Sequence, residues 1–568
     1  METQAEAPRF VTPPTAADLF TPKIMTVLRE GYGARDLRAD ILAGLTVAIV
    51  ALPLSMAIAI ASGVTPERGL FTAVIGGFLI SALGGSRFQI GGPAAAFTVL
   101  VAHTVARNGL DGLFLATAMA GLFLLLLGAF RLGSYIKYIP YPVTVGFISG
   151  IAVILLVGQI GDLFGLTLPN TPADILPKLE ALWAAAPSFN AVAALVSLVT
   201  VGVIVGLRKY APTWPGILIA VVLGAGAVAL FKLPIETIGT RFGGIPSMLP
   251  TPSLPSISLA KVQAVLPDAI SFALLGAIES LLSAMVADGM TGRRHRSNME
   301  LVAQGIANIA SALFGGICAT GTVARTATNV RSGARGPLAG MFHAVFILLF
   351  MLVAAPLASF IPLAGLAGVL VIVAWNMAEK HAFATLVRTS KGDAVVLLAT
   401  FGLTIFVGLT EAIIVGFALG TLLFLHRMAQ STGVAAQLPP VPEDQADDRD
   451  QASYDPSVAA DPDVAVYRIS GAFFFGAAAT VGSVLDRIAD RHRAFIIDFS
   501  AVPFIDSTAA NTIETIARKA RKSGVLLLVS GASAPIRHML NAHGVLPPEV
   551  RFAATLDEAV SAAHAAIR

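Results

Sequence analysis

Two charges sit where an apolar chain has least use for them. Glu279 lies midway along FALLGAIESLLSAMVAD, and Arg325 lies in FGGICATGTVART, beside a short stretch broken by glycines. An ionised carboxylate in the middle of a membrane helix costs about 2.5 to 3.5 kcal/mol on insertion scales, so such a group is protonated, paired or wet. Two compatible roles are open for Glu279: taking up and releasing a coupling proton, or a structural ion pair with Arg325. Gly276, Glu279 and Ser283 share one helical face at i, i+3 and i+7, a polar stripe that would point into a bundle. Arg325, about one turn into its segment, adds to the positive dipole end of a helix and favours an anion. Its alternative is to join Arg331 and Arg335 and snorkel to water.

The backbone around these charges is broken twice in matching ways. QIGGPAAAFTVLVAHTVAR leaves only about thirteen mostly apolar residues after Pro93, too short to span a bilayer at roughly 1.5 Å per residue. FGGICATGTVARTATNV is short in the same manner. Two half-helices meeting at mid-membrane would aim free N–H groups at one point, and small residues would let an anion approach them. Those residues are Ala94, Ala95 and Ala96 on one side and Gly321, Thr322, Val323 and Ala324 on the other. Pro93 suits the first turn of the first half-helix. The alternative is a pair of ordinary kinks, which membrane helices tolerate.

Hydropathy supplies the frame. The 568 residues are 55% hydrophobic and only 13% charged, with a mean hydropathy of +0.78, the balance of a polytopic membrane protein. A net charge of +3 does not suggest a nucleic-acid partner. With Cys318 as the only cysteine, neither an internal disulfide nor a cysteine metal cluster is available. His103 and His343, alone on apolar segments, read as packed side chains. No Walker loop, HExxH or nucleophile elbow occurs, so a non-enzyme without a cofactor is expected.

Residues 1–40 read as a cytosolic lead rather than a signal peptide. Apolar segments follow at about 41–64, 70–83, 93–107, 112–130, 141–163, 190–207 and 214–231, then at about 267–288, 299–316, 321–331, 337–356, 363–378, 393–408 and 411–426. These are numbered 1 to 14 below. They form two sets of seven, repeat 1 over about 41–231 and repeat 2 over about 267–428, and the third member of each is the broken one. An odd number of crossings per repeat forces the second to enter from the opposite side, giving an inverted repeat. Lys and Arg concentrate in the loops this topology places inside, with both termini cytoplasmic. A polar linker is expected over 429–462, and an α/β domain over 463–568. Strands are expected at VAVYRIS, AFIIDFS and GVLLLVS, and helices at VGSVLDRIADRH, AANTIETIARKARK and LDEAVSAAHAAI.

DILAGLTVAIVALPLSMAIAIASGV, GGPAAAF, ESLLSAMVADGMTG and FIIDFSAVPFIDSTAA together resemble the SulP anion transporters, the bacterial members of solute carrier family 26, over about residues 35–568. The resemblance implies a uracil-symporter-like membrane domain in a bacterial plasma membrane, with segments 1 to 4 and 8 to 11 as a core moving against a gate. Substrate would lie between segments 3 and 10, and Ser55, Ile58 and Phe97 join the binding set. It also implies a cytosolic STAS domain (sulfate transporter and anti-sigma factor antagonist), a homodimer and a small anion as substrate. The family's cyanobacterial sodium-bicarbonate transporters have Asp where this chain has Glu279, and Thr where it has Ser283 and Val323. Val323 therefore costs sodium one ligand oxygen here, and Glu279 matches the proton-coupled branch, with Ser283 beside it at the coupling-ion position. Leu54 and Ile58 replace the Gln and Phe of animal relatives. In the STAS loop, Ser507 or Thr508 is a candidate phosphorylation site, set against a purely structural turn, and a cytosolic partner is a further expectation. Rival readings are a sodium-coupled bicarbonate transporter, an uncoupled channel or exchanger, and a regulatory scaffold.

Overall fold

The computed structural model describes residues 19–134, 140–168, 172, 174–211, 214–430, 433–436, 463–474 and 493–567. The chain divides into two compact units, Met1–Phe417 and Ala418–Arg568.

Each of the fourteen segments has its element, thirteen within the first unit and the last, Leu409–Gln430, running across the boundary at Phe417. Eight of the described helices are long and apolar enough to cross a membrane, and the remaining segments are shorter or interrupted. Segment 1 is Ala34–Ala61, and segment 8 is Leu259–Thr291. Both start earlier than hydropathy suggests, because capping and not apolarity sets a helix start: Gly33 N–H donates to Asp36, and Ser258 Oγ accepts from Lys261 N. Segment 2 runs Pro66–Phe71, a π turn over Thr72–Gly76, and Gly77–Leu83. Thr98–Ala129 folds back at Gly109, where φ is +66°, and this glycine separates segments 3 and 4. Three helices not expected from hydropathy, Ile175–Ala185, Ile238–Phe242 and Lys380–Thr389, lie in the connections.

The two broken segments begin as strands. β1, Gly91–Pro93, pairs antiparallel with β2, Ala319–Gly321, in the register Gly91 to Gly321, Gly92 to Thr320 and Pro93 to Ala319. Pro93 therefore occupies a strand and not the first turn of a helix, and the helical chain resumes at Ala95. This register makes Gly91 and Ala319 pseudo-equivalent, and the same sequence offset links Asp40 to Asp268, Ser55 to Ser283 and Thr98 to Thr326. Packing follows the same exchange, with segment 1 on segment 11 and segment 8 on segment 4. Asp40 accepts from Arg335 N and Gly336 N just ahead of segment 11, while Asp268 accepts from Asn108 Nδ2 just ahead of segment 4. This is an inverted repeat visible in single hydrogen bonds.

In the second unit a five-stranded sheet has the order β3–β4–β5–β6–β7: Gly433–Ala436, Val464–Ser470, Ala494–Ala501, Leu526–Ser530 and Val550–Ala553. β3 falls inside the stretch expected to be linker. It adds to the sheet edge antiparallel to β4, while the other neighbours are parallel. Ser507–Lys522 and Ala534–Ala542 cover one face of the sheet, and Leu556–Ile567 covers the other. The helix expected at VGSVLDRIADRH lies outside the described residues, as does most of the expected linker.

Asp498 on β5 is buried and accepts from Arg468 Nε at 2.7 Å, Ser500 N at 3.1 Å, Ser500 Oγ at 2.9 Å and Ser530 Oγ at 3.2 Å. Burial pushes its carboxyl up, but the Arg468 guanidinium and the Ser500 donors more than reverse this, holding it below its ordinary value. The depressed value makes its stabilisation complete at neutral pH, and that stabilisation is lost as pH falls below the usual carboxylate range. Asp498→Ala leaves four donors without their acceptor and is expected to cost about 2 to 4 kcal/mol. A lowered thermal transition of the full chain by scanning fluorimetry checks it.

Candidate functional site

The β1–β2 ladder is the scaffold of the site. The chain leading into β1 is stitched along segment 10: Thr322 N donates to Ile90 O at 3.0 Å, Ile90 N to Thr326 Oγ1 at 3.1 Å, and Asn329 Nδ2 to Phe88 O at 2.9 Å. Thr320 Oγ1 donates to Gly276 O, and Ser283 Oγ to Thr326 Oγ1 at 2.9 Å. The polar face expected on segment 8 is therefore turned toward the crossover, and Ser283 spends its hydroxyl on segment 10.

The helices of segments 3 and 10 start at opposite ends of this three-pair ladder. On one side Phe97 N donates to Ala94 O, and the N–H groups of Ala95 and Ala96 precede that bond. On the other, the first intrahelical bond is Thr326 N to Thr322 O, leaving the N–H groups of Val323, Ala324 and Arg325 ahead of it. Ala94, Ala95, Ala96 and Phe97 are buried in the same apolar cluster as Ile58, whereas Thr322 and Val323 are half-buried and Ala324 is exposed. Thr322 Oγ1 and Thr98 Oγ1 are buried without a hydrogen-bond partner.

Arg325 is 2% exposed. Its Nη2 donates to Ser55 Oγ and to Pro93 O, each at 3.2 Å, so residues from segments 1, 3 and 10 meet there. Its Nε and Nη1 have no protein acceptor. The snorkelling alternative is not what the structure adopts. Nor is the ion pair with Glu279: the two are not within salt-bridge distance, and Glu279, half-buried on segment 8, has no hydrogen-bond or ion-pair partner among the described residues. A buried guanidinium with free N–H groups, beside two helix starts, is chemically equipped to hold a small anion.

Gly92 lets the guanidinium approach. Its φ is +153°, and a Cβ there would stand 2.3 Å from Arg325 Nη1. Gly92→Ala is expected to displace Arg325 and weaken anion binding by about fivefold to 150-fold, from a strain of roughly 1 to 3 kcal/mol. Titrating anion-dependent thermal stabilisation of the purified variant measures this.

Gln89, buried near the crossover, is not singled out by the sequence, which marks His343 only as a packed side chain. Both ends of Gln89 lack a partner, and its Nε2 lies where a Cβ on Gly321 would be. Both ring nitrogens of His343 lack one too. The repeat offset was the available signal for the Asp40/Asp268 and Ser55/Ser283 pairs. It also shows where symmetry fails: Ala51 corresponds to Glu279, and Phe97 to Arg325, so both charges come from repeat 2. Ser507 and Thr508 are exposed in the other unit, at the start of a helix capped by Asp506, whose side chain accepts from Ala509 N.

Residues 37–400 match the sulfate permease family, and residues 455–559 match the STAS domain. A Bacillus subtilis protein named as a sulfate transporter, YvdB, is 38% identical over 91% of this chain and 95% of its own length. The bicarbonate transporter BicA of Synechocystis is 33% identical, covering 89% and 90%. The transmembrane domain of a cyanobacterial BicA superposes with a TM-score of 0.60 at 34% identity, over 68% of this chain and 98% of that one. SLC26A9 shares the fold over 96% of this chain and 92% of its own, with a TM-score of 0.83 at 18% identity. A crossover of half-helices in an inverted repeat, a family match over most of the chain and relatives above 30% identity along nearly all of it place this protein in the sulfate permease family, as a multi-pass membrane anion transporter with a C-terminal STAS domain.

Proposed function

We propose that the protein moves a small anion of the sulfate, dicarboxylate or bicarbonate class inward with protons by alternating access. The observation that carries this reading is the separation of the two charges: Arg325 keeps free N–H groups at the crossover, and Glu279 stands apart without a counter-charge. Arg325 and the N–H groups of Ala95, Ala96, Val323 and Ala324 hold the anion. Ser55 orients the guanidinium, and Ile58 and Phe97 form the apolar wall. Glu279 carries the proton. Coupling is needed because bringing one negative charge in against an inside-negative potential costs about 2.3 kcal/mol per 100 mV.

In this reading segments 1 to 4 and 8 to 11 shift as one body against the gate, both termini and the STAS domain face the cytoplasm of a bacterial plasma membrane, and the chain works as a homodimer. The STAS domain is the place for a cytosolic partner, with Ser507 or Thr508 as its modification site. A sodium-coupled bicarbonate carrier is the second reading, favoured by the similarity to BicA. Uptake of sulfate, bicarbonate, succinate, fumarate and nitrate into proteoliposomes decides between them. Uphill uptake driven by an acid exterior without sodium supports the first; uptake requiring sodium and indifferent to pH supports the second and sinks the first.

A further inference from the structure

The moving site has a small inventory of formal charge. Among the described residues close to the crossover it holds Arg325 on segment 10 and Glu279 on segment 8, both from repeat 2, with Ala51 and Phe97 at the corresponding places of repeat 1. Among the described residues, the neighbouring elements place their charges away from the crossover or on other partners: Arg68 on segment 2 donates to Gly315 O, four residues ahead of β2. Segment 1 brings Ser55, and segment 11 brings His343, which is fully buried and offers an imidazolium no acceptor. Cys318, just before β2, is buried against Thr117. Glu300 on segment 9 is taken up by Gly85 N, Ser86 N and Gln304, and Asp288 on segment 8 by His295. His103 and Arg107 lie near the Gly109 fold, with Asp268.

We propose that this inventory makes the carrier an electroneutral one that takes a single monovalent anion with a single proton. The proposal rests on the proton-coupled reading above. Four states of the site are possible. Empty, the ionised Glu279 and Arg325 sum to zero. With both proton and anion bound, a neutral Glu279, Arg325 and a monoanion again sum to zero. The other two are charged: the proton alone leaves plus one, and the anion alone leaves minus one. Uncompensated charge in a low-dielectric, water-poor setting is expensive, whereas the two balanced states cross it without that penalty. Coupling then needs no dedicated contact between proton and anion, which agrees with the absence of a bond between Glu279 and Arg325.

The substrate class follows. Bicarbonate, nitrate or a monocarboxylate balances the site. A dianion such as sulfate leaves one negative charge over, with no second titratable group placed to neutralise it. The helix dipoles attract either kind of anion, but they travel with the core and add no net charge.

Proteoliposomes of the full chain, acid outside, with the potential clamped by potassium and valinomycin at zero or about −100 mV inside, test this with bicarbonate, nitrate or sulfate as sole anion. Uptake into protein-free vesicles is subtracted. The expected result is pH-driven uptake of at least one monoanion, equal within about twofold at both potentials, and sulfate uptake at least about tenfold slower. Accumulation that falls about 50-fold per 100 mV, the signature of one uncompensated charge, overturns the charge balance and leaves proton coupling standing. Sulfate carried as fast as the monoanions does the same. pH-driven uptake of sulfate alone also overturns only the charge balance, whereas absence of pH-driven uptake of every anion tested overturns the proton reading and this inference together. Glu279→Gln should in turn make monoanion accumulation voltage-dependent, by up to about 50-fold per 100 mV, because its site is no longer balanced in both legs. Continued voltage independence in that variant counts against the proposal.

Discussion

Arg325→Ala is expected to weaken binding of the transported anion by roughly 30-fold to several thousandfold, the equivalent of the about 2 to 5 kcal/mol lost on truncating one partner of a buried, hydrogen-bonded charge pair. The loss has three sources. The anion forfeits the Nε and Nη1 donors, which have no protein acceptor to fall back on. It forfeits the one positive formal charge that the described residues place at the crossover. The site also loses the tie that joins segment 10 to Ser55 and Pro93, each 3.2 Å from Nη2. Arg325→Lys separates these contributions, since it keeps a charge but not the planar fork that bridges segments 1 and 3, and its affinity should fall between the other two. Calorimetry on the purified protein measures all three. Wild-type affinity in the alanine variant would mean that the guanidinium is packing material.

Glu279→Gln is the second large effect, of a different kind. The amide keeps the size of the side chain and cannot ionise, so uphill uptake driven by a pH gradient should vanish while anion affinity changes by less than about threefold. Counterflow, in which labelled anion exchanges for unlabelled anion, should persist. Because Glu279 makes no hydrogen bond or ion pair with the described residues, the substitution breaks no contact of the fold, and a stability loss beyond about 1 kcal/mol is not expected. Uphill uptake that survives the substitution removes Glu279 from the proton path. Loss of exchange together with uphill uptake marks it as structural.

Much of the membrane unit is legible in sequence because long apolar runs have no other use, and because the two glycine breaks occupy matching places in two sets of seven. The charges Glu279 and Arg325 are conspicuous for the same reason. What the sequence conceals is pairing. Nothing in GGP or ATG announces a strand, since a three-residue strand carries no periodicity; it exists because the other repeat presents the matching edge. Pro93 illustrates the consequence, its sequence context suiting a helix start that the pairing moved to Ala95. β3 is hidden on the same ground, as GVAA is too short and too plain to differ from linker until β4 is beside it. The helices Ile175–Ala185 and Lys380–Thr389 escaped because amphipathic surface helices in connections lack the hydropathy that marks a span. The hydrogen bonds of Asp40 and Asp268 needed the repeat register, which the strands supply.

That short ladder also sets a scale. Because the helices of segments 3 and 10 are launched from its two ends, the gap between their first N–H groups is measured in strand residues, about 3.4 Å apiece, and not in side chains. The ladder is a ruler built from backbone. Exchanging Ala95 or Val323 for another residue retunes the lining while leaving the ruler alone, whereas inserting one residue into Gly91–Pro93 lengthens it and turns every following side chain to the opposite face. In a carrier of this build, substitution changes the lining between the two helix starts, and insertion or deletion in the ladder changes their spacing.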